Sequence, residues 1–276
     1  MSTSQYPIPP PSYHKGSPES TPLVETSRAS ETEPLLASSH NAGTVFDQPE
    51  IDDVPDDFKY GTTVSDSSPQ IRKAFIRKVY TILFSQILAT VVVAGLLSQS
   101  KPVVEWVMAH LWAFFVPLAG TLINLILLQW KRHSHPWNFV LLSTFTLLEA
   151  YTLGFAVAFY DNRVVLQALI ITLAVFIGLT VFTLQSKYDF DGLGPFLFAV
   201  IIVFFTTSMV HFLVAPFNKT LDIVYTVAGC IIFSAFVVYD TYRINRKLSP
   251  DEFVSGAVSL YLDFINLFLR ILRLGR

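Results

Sequence analysis

Four places in this chain set ionisable side chains inside runs otherwise built of hydrocarbon: Glu149, Asp240, Asp263 and the pair Arg270/Arg273. A charge at bilayer depth costs about 2.5–3.5 kcal/mol on insertion scales, so each is a candidate for function. Asp240 and Asp263 matter most. If they meet, two carboxylates in one site hold a proton between them and titrate as a pair, which makes a pH-sensitive latch. Once deprotonated, the same hard oxygens suit Ca²⁺ as transient metal ligands. Plainer roles stand beside these. Asp263 can be neutralised on its own helix by Asn266 or Arg270, Asp240 can be an interfacial carboxylate paired with Arg243, and Glu149 can be a hydrogen-bonded or protonated side chain beside Thr146 or Thr152. Cys230 is the only cysteine, so neither an intrachain disulfide nor a Cys-rich metal site can form.

The elements that must position these groups are membrane helices. Hydrophobic residues make up 52% of the 276 positions and charged ones 14%, against roughly a quarter charged in soluble domains. A hydrocarbon core of about 30 Å needs roughly 20 apolar residues as helix. Seven windows meet or approach this, at about 79–98, 110–130, 137–159, 164–185, 194–214, 221–242 and 254–274. Polar or turn residues separate them, among them Ser100-Lys101-Pro102 and Arg243 to Glu252. The expected fold is an all-α membrane protein, a seven-helix bundle over 71–276 behind a disordered N-terminal tail.

The last segment differs from the rest. At 100° per residue, Gly256, Ser259, Asp263, Asn266, Arg270 and Arg273 fall within about 100° of one another, opposite Tyr261, Leu262, Ile265, Phe268, Leu269 and Leu272. Such a helix either lies on the membrane surface or turns its polar stripe into a bundle. The near-central carboxylate and short preceding loop favour the bundle, with six spanning helices around a central, less hydrophobic seventh.

Residues 1–70 hold three Lys/Arg, eleven Asp/Glu and ten of the sixteen prolines, a composition that cannot bury enough surface to offset ordering entropy. Beyond them sixteen basic residues face ten acidic. In the short loops, ten Lys/Arg fall on the tail's side (Arg72, Lys73, Arg77, Lys78, Lys131, Arg132, Lys187, Arg243, Arg246, Lys247) and three on the other (Lys101, Arg163, Lys219). The tail is therefore expected in the cytosol. The first apolar run begins near Val79, too late for a cleavable signal peptide, so the first membrane segment is expected to act as the targeting signal. Pro10-Pro11-Ser12-Tyr13 fits PPxY, a ligand for WW domains and so for a WW-domain ubiquitin ligase. Glu31 with Leu35 and Leu36 fits an acidic dileucine sorting signal, which points to the vacuole.

From about Asp57 to Leu274 the chain resembles the transmembrane Bax-inhibitor-motif family, in its fungal and lifeguard-like branch. The resemblance rests on DFKYGTTV, IRKAFIRKVYTILFSQIL, TLLEAYTLG around Glu149, LTVFTLQSKYDF, and most specifically VVYDTYRI and SLYLDFINLFLRILR. It implies a seven-helix fold with the last helix central and a cytosol-facing pair of aspartates, at Asp240 and Asp263, gating a pH-sensitive Ca²⁺ leak from stores. It also implies modulation of stress-induced cell death and of the unfolded-protein response. Arg273 matches a motif arginine that pairs, in bacterial relatives, with a glutamate of the second helix. Here that helix reads PLAGTLINLILLQW, with no acid.

These readings make the chain a non-enzymatic Ca²⁺ leak channel or regulator, with Asp240 and Asp263 as the gate and Glu149, Asn266, Arg270 and Arg273 as supporting polar groups. No cofactor is expected beyond Ca²⁺ as the permeant ion. The expected partners are the lipid bilayer, a WW-domain ubiquitin ligase, and Bcl-2-type or stress-response proteins; nucleic acid is not among them. The expected location is the endoplasmic reticulum or vacuole membrane, with the mitochondrial membrane as a further address. The alternative is a non-conducting scaffold that binds cell-death or stress factors through its tail and loops.

Overall fold

The computed structural model describes residues 63–275, apart from 111, 133, 135 and 214–218. These residues form eight α-helices and no strand: α1 Pro69–Gln99, α2 Lys101–Ala109, α3 Trp112–Trp130, α4 Trp137–Val157, α5 Asn162–Gln185, α6 Leu193–Leu213, α7 Lys219–Arg246 and α8 Phe253–Leu274. All but α2 and α8 are long and apolar enough to cross a membrane, which makes this a multi-pass membrane protein. Their outward faces carry exposed Leu122, Ile126, Leu166, Ile170, Phe196 and Val203, surface that only hydrocarbon can cover. Trp112, Trp130 and Trp137 stand exposed at helix ends, where indole rings anchor a chain to the membrane interface.

The first helix begins ten residues before the expected segment at 79. Ser68 caps it by accepting the Ile71 N–H, and Pro69 supplies a first-turn residue with no N–H to orphan. The helix has 31 residues and is about 46 Å long, more than a ~30 Å hydrocarbon core. Its basic turns, Arg72 to Lys78, therefore belong to the portion that stands clear of the lipid. The expected disorder does not extend through residue 70. Val64 is wholly buried and donates its N–H to the carbonyl of Leu248, 2.9 Å away. That anchor lies on the turn between α7 and α8, where local composition cannot reveal it. The remaining tail, including Pro10, Pro11, Tyr13, Glu31, Leu35 and Leu36, lies outside the described residues.

The helix count among the described residues also differs, eight rather than seven. The expected break falls at Ser100, where α1 ends, but Lys101 and Pro102 then start α2, with Pro102 in its first turn, where proline favours a helix start. The turn at His110 then separates α2 from α3, so the second crossing runs from Trp112 rather than 110.

The last helix is enclosed by α7, α1, α5 and α4. Here the two-faced expectation gives way. The apolar face is buried, with Tyr261, Ile265, Phe268 and Leu272 each under 5% exposed. Ser259, Asn266, Arg270 and Arg273 on the polar stripe are only half-buried. With helices on most sides, the apolar face packs against protein rather than lipid. The Phe176 ring meets Phe264 edge-on at 5.6 Å, and Phe145 meets Tyr261 in the same way at 5.8 Å.

The contact between α1 and α4 depends on Gly154, where a Cβ would stand 3.0 Å from both Ala94 Cα and Leu97 Cβ. Backbone cannot yield there as a flexible side chain could. Gly154→Ala should lower the stability of the purified protein in detergent by about 1–3 kcal/mol. An unchanged thermal unfolding curve would contradict this crossing.

Candidate functional site

One antiparallel pairing, between α7 and α8, assembles most of the polar groups. Gly256 lets the helices approach, because a Cβ there would lie 3.1 Å from Ile244 Cγ1 and Leu248 Cδ1. One turn further along α7 stands Asp240, 8% exposed, and two turns further along α8 stands Asp263, 6% exposed. Their carboxyls stand close enough to interact electrostatically, with no hydrogen bond of good geometry between them among the described residues. Arg243 approaches Asp240 through Nη1 at 3.9 Å, a loose ion pair. Oδ2 of Asp263 is buried with no hydrogen-bond partner among the described residues.

The alternative neutralising partners for Asp263 on its own helix are engaged elsewhere. Asn266 donates from Nδ2 to the Leu262 carbonyl at 2.8 Å. Arg270 lies among aromatic rings, its guanidinium carbon 4.8 Å from the centroid of Phe204, 5.7 Å from Tyr225 and 5.9 Å from Phe233. Such faces attract a cation through their quadrupoles. Gly229 leaves room for this side chain, since a Cβ there would stand 2.9 Å from Arg270 Cδ.

Arg273 finds its acid on α7, where Asp222 Oδ1 pairs with Nη2. This partner was absent from the sequence reading, although a signal for it exists. Once Asp240 faces Asp263, antiparallel register carries the start of α7 toward the end of α8, and Asp222 is the only acid in that part of α7. Glu149 does not join the pair. It sits on α4, half-buried and within electrostatic range of the Tyr261 phenol. The threonines proposed as its donors give their hydroxyl protons to their own helix, Thr146 to Leu142 and Thr152 to Leu148.

Three further polar groups join the set. The Tyr80 hydroxyl lies within reach of Thr180 and Thr241, from α1, α5 and α7. All three oxygens are buried without a hydrogen bond of good geometry among the described residues. On the next face, Thr90 and the Tyr261 hydroxyl share a 2.8 Å hydrogen bond that ties α1 to α8.

The α7–α8 turn is fastened from outside. Arg72 donates from Nε and Nη2 to Asn245 Oδ1, at 3.2 and 2.8 Å. Arg132 meets Glu252 at 2.8 Å, Lys78 lies 3.5 Å from the Phe253 ring centroid, and Lys247 pairs with Asp191. The Tyr242 hydroxyl donates to Asp189 at 2.5 Å, and that bond holds the Asp189 carboxyl below the usual carboxylate range. Asp191 beside Lys247 pushes its ammonium group up.

Paired buried carboxyls can share a proton, and in ionised form can meet a hard cation. Among the described residues no three His, Cys, Asp or Glu side chains converge. Two carboxylates alone fit a passing Ca²⁺ better than a resident one, which takes six to eight oxygens.

Residues 72–275 match the family described as inhibitor of apoptosis-promoting Bax1. Similar proteins include Bax inhibitor 1 of Schizosaccharomyces pombe, 40% identical over 219 residues, covering 79% of this chain and 82% of that one. Protein lifeguard 4 of Mus musculus is 40% identical over 220 residues, covering 80% and 92%. A Golgi anti-apoptotic protein of vaccinia virus is 39% identical over 221 residues, with the same coverage.

The Asp222–Arg273 pair should be visible as energetic coupling. In a double-mutant cycle with Asp222→Asn and Arg273→Gln, stability measurements should return about 0.5–1 kcal/mol between the two sites; strict additivity would refute the pairing. Thr241→Val, by contrast, should stay within about 0.5 kcal/mol of wild type or exceed it, because it removes a hydroxyl whose hydrogen-bonding capacity is unspent. A clear loss of stability would show that the hydroxyl has a partner.

Proposed function

The chain belongs to the family of inhibitors of apoptosis-promoting Bax1, and from that premise we propose that it is a non-enzymatic membrane protein that lets Ca²⁺ leak from an intracellular store under control of the Asp240–Asp263 pair. The observation that carries this reading is the approach of two buried carboxyls from adjacent helices, with one oxygen of Asp263 left unpaired. With one proton between them they bind each other and hold α7 to α8. Removing that proton sets two negative charges side by side, whereas adding a second removes the charge that strengthens the bond. Either change loosens the latch, and the ionised form also presents oxygens to Ca²⁺. Six spanning helices around a central α8 would keep the pair from lipid.

Through the leak the protein tunes stress-induced cell death and the unfolded-protein response; the names of the relatives, Bax inhibitor and Golgi anti-apoptotic protein, support the first. The excess of Lys/Arg in alternate loops supports an N-terminus in the cytosol. The Golgi named for the viral relative supports an endomembrane location, here the endoplasmic reticulum or the vacuole, with the mitochondrial membrane as a further address. In the cytosol the tail would offer its PPxY segment to a WW-domain ubiquitin ligase, its dileucine to sorting adaptors, and the loops to Bcl-2-type or stress-response proteins.

Purified protein in Ca²⁺-loaded vesicles should leak at a rate that changes about tenfold per pH unit where the pair gains or loses a proton, within pH 6–8. Asp263→Asn cannot share a proton in this way and should flatten the profile. A mutant that keeps the wild-type pH response would remove the latch from the mechanism.

A further inference from the structure

Away from the carboxyl pair, a cavity of about 260 Å³ lies between α1 and α5, with α8 as its floor. Its volume is close to the ~300 Å³ lower end of small-molecule pockets. The inner wall is hydrocarbon: Ile87, Ala94, Leu153, Leu169, Phe264 and Phe268. Polar side chains cluster at one end, with Ser98 and Gln99 closing α1 and Asn162 opening α5. Among the described residues no charged side chain lines it. α1 and α5 make no extensive contact with each other, and wall residues Val91 and Leu166 are exposed on the outer surface, so the cavity opens sideways where the bilayer lies.

Depth and chemistry identify the occupant. The twelve-residue step from Ile87 to Gln99 rises about 18 Å, a little over half of a ~30 Å hydrocarbon core. The crevice thus runs from the interface to mid-bilayer, the depth of one leaflet. A cavity with such walls stays dry, while amide and hydroxyl groups at its mouth suit a neutral hydrogen-bonding group. We propose that this crevice seats one acyl chain of a glycerolipid, with the ester region of that lipid at Ser98, Gln99 and Asn162. The seated chain touches Phe264, the residue after Asp263, and Thr90, which holds Tyr261. The site is independent of whether the protein conducts ions.

Gly95 allows a direct test, because it lines the crevice and a Cβ there would meet nothing within 4 Å. The full chain, reconstituted in phosphatidylcholine bilayers doped with phosphatidylcholine bearing a diazirine in one acyl chain, is irradiated and its adducts are mapped by mass spectrometry. Adducts should concentrate on residues 87–99 and 162–169. Gly95→Phe should lower them about tenfold while adducts on the lipid-facing side of α3 stay unchanged. Adducts that follow general exposure and ignore Gly95→Phe would overturn the proposal. If Gly95→Phe does not fold, Gly95→Cys in a Cys230→Ser background decides. Protection from a membrane-impermeant cationic thiol reagent fits a lipid seat, and rapid reaction means a water-filled vestibule and overturns it.

Discussion

Inside a bilayer no water answers a polar group, so every charge placed there must be answered by protein. α8 carries three such charges, Asp263, Arg270 and Arg273, and α7 contributes to the answer for each of them. Asp240 faces Asp263, Tyr225 and Phe233 help enclose Arg270 with Phe204 of α6, and Asp222 pairs with Arg273. As position rises along one helix it falls along the other, so a single antiparallel register satisfies all three. Gly256 and Gly229 permit that register, one by admitting α7 and the other by clearing the Arg270 stem.

The hairpin is held unevenly along its length. Its turn is tied to the start of α1, the α3–α4 turn and the α5–α6 loop through Arg72, Arg132 and Asp191, and to Val64 through the Leu248 carbonyl. Partly exposed ion pairs are each worth little, yet several on one short turn restrain it together. Deeper in, restraint weakens where polar groups are left over: Oδ2 of Asp263 and the hydroxyls of Tyr80, Thr180 and Thr241. Unspent hydrogen-bonding capacity makes alternative arrangements of nearly equal energy accessible. A fixed turn next to an under-satisfied interior would suit the proposed latch, which would move without unfolding the hairpin.

The crevice beside α1 lies on the other flank of α8. Thr90 and Phe264 line it, one bonded to Tyr261 and the other following Asp263 in the chain. Lipid packing and the protonation of a carboxyl pair would therefore act on the same helix from opposite sides, and a change at either could be felt at the other through a shift of α8 alone.

Much of this was legible without coordinates, because hydrophobic length in a membrane is dictated by bilayer thickness, and charges within such lengths are conspicuous. The six crossings, the distinctness of the last helix and the candidacy of Asp240 and Asp263 follow from local composition. What composition could not supply was pairing. Pro102 reads as a break until the chain around it is seen to restart a helix, and Val64 reads as tail until its carbonyl partner across the fold is known. Asp222 and Arg273 are 51 positions apart in the chain, and Asp189 and Tyr242 are 53 apart. Spacing alone marks neither pair: Asp222 becomes the partner of Arg273 only once the Asp240–Asp263 register is known, and helix register and close approach depend on clearances between whole helices. The sequence by itself therefore determined which segments cross the membrane and which charges need an answer. Only the tertiary structure decided which side chain answers which, since that depends on how α7, α1, α5 and α4 enclose the eighth helix.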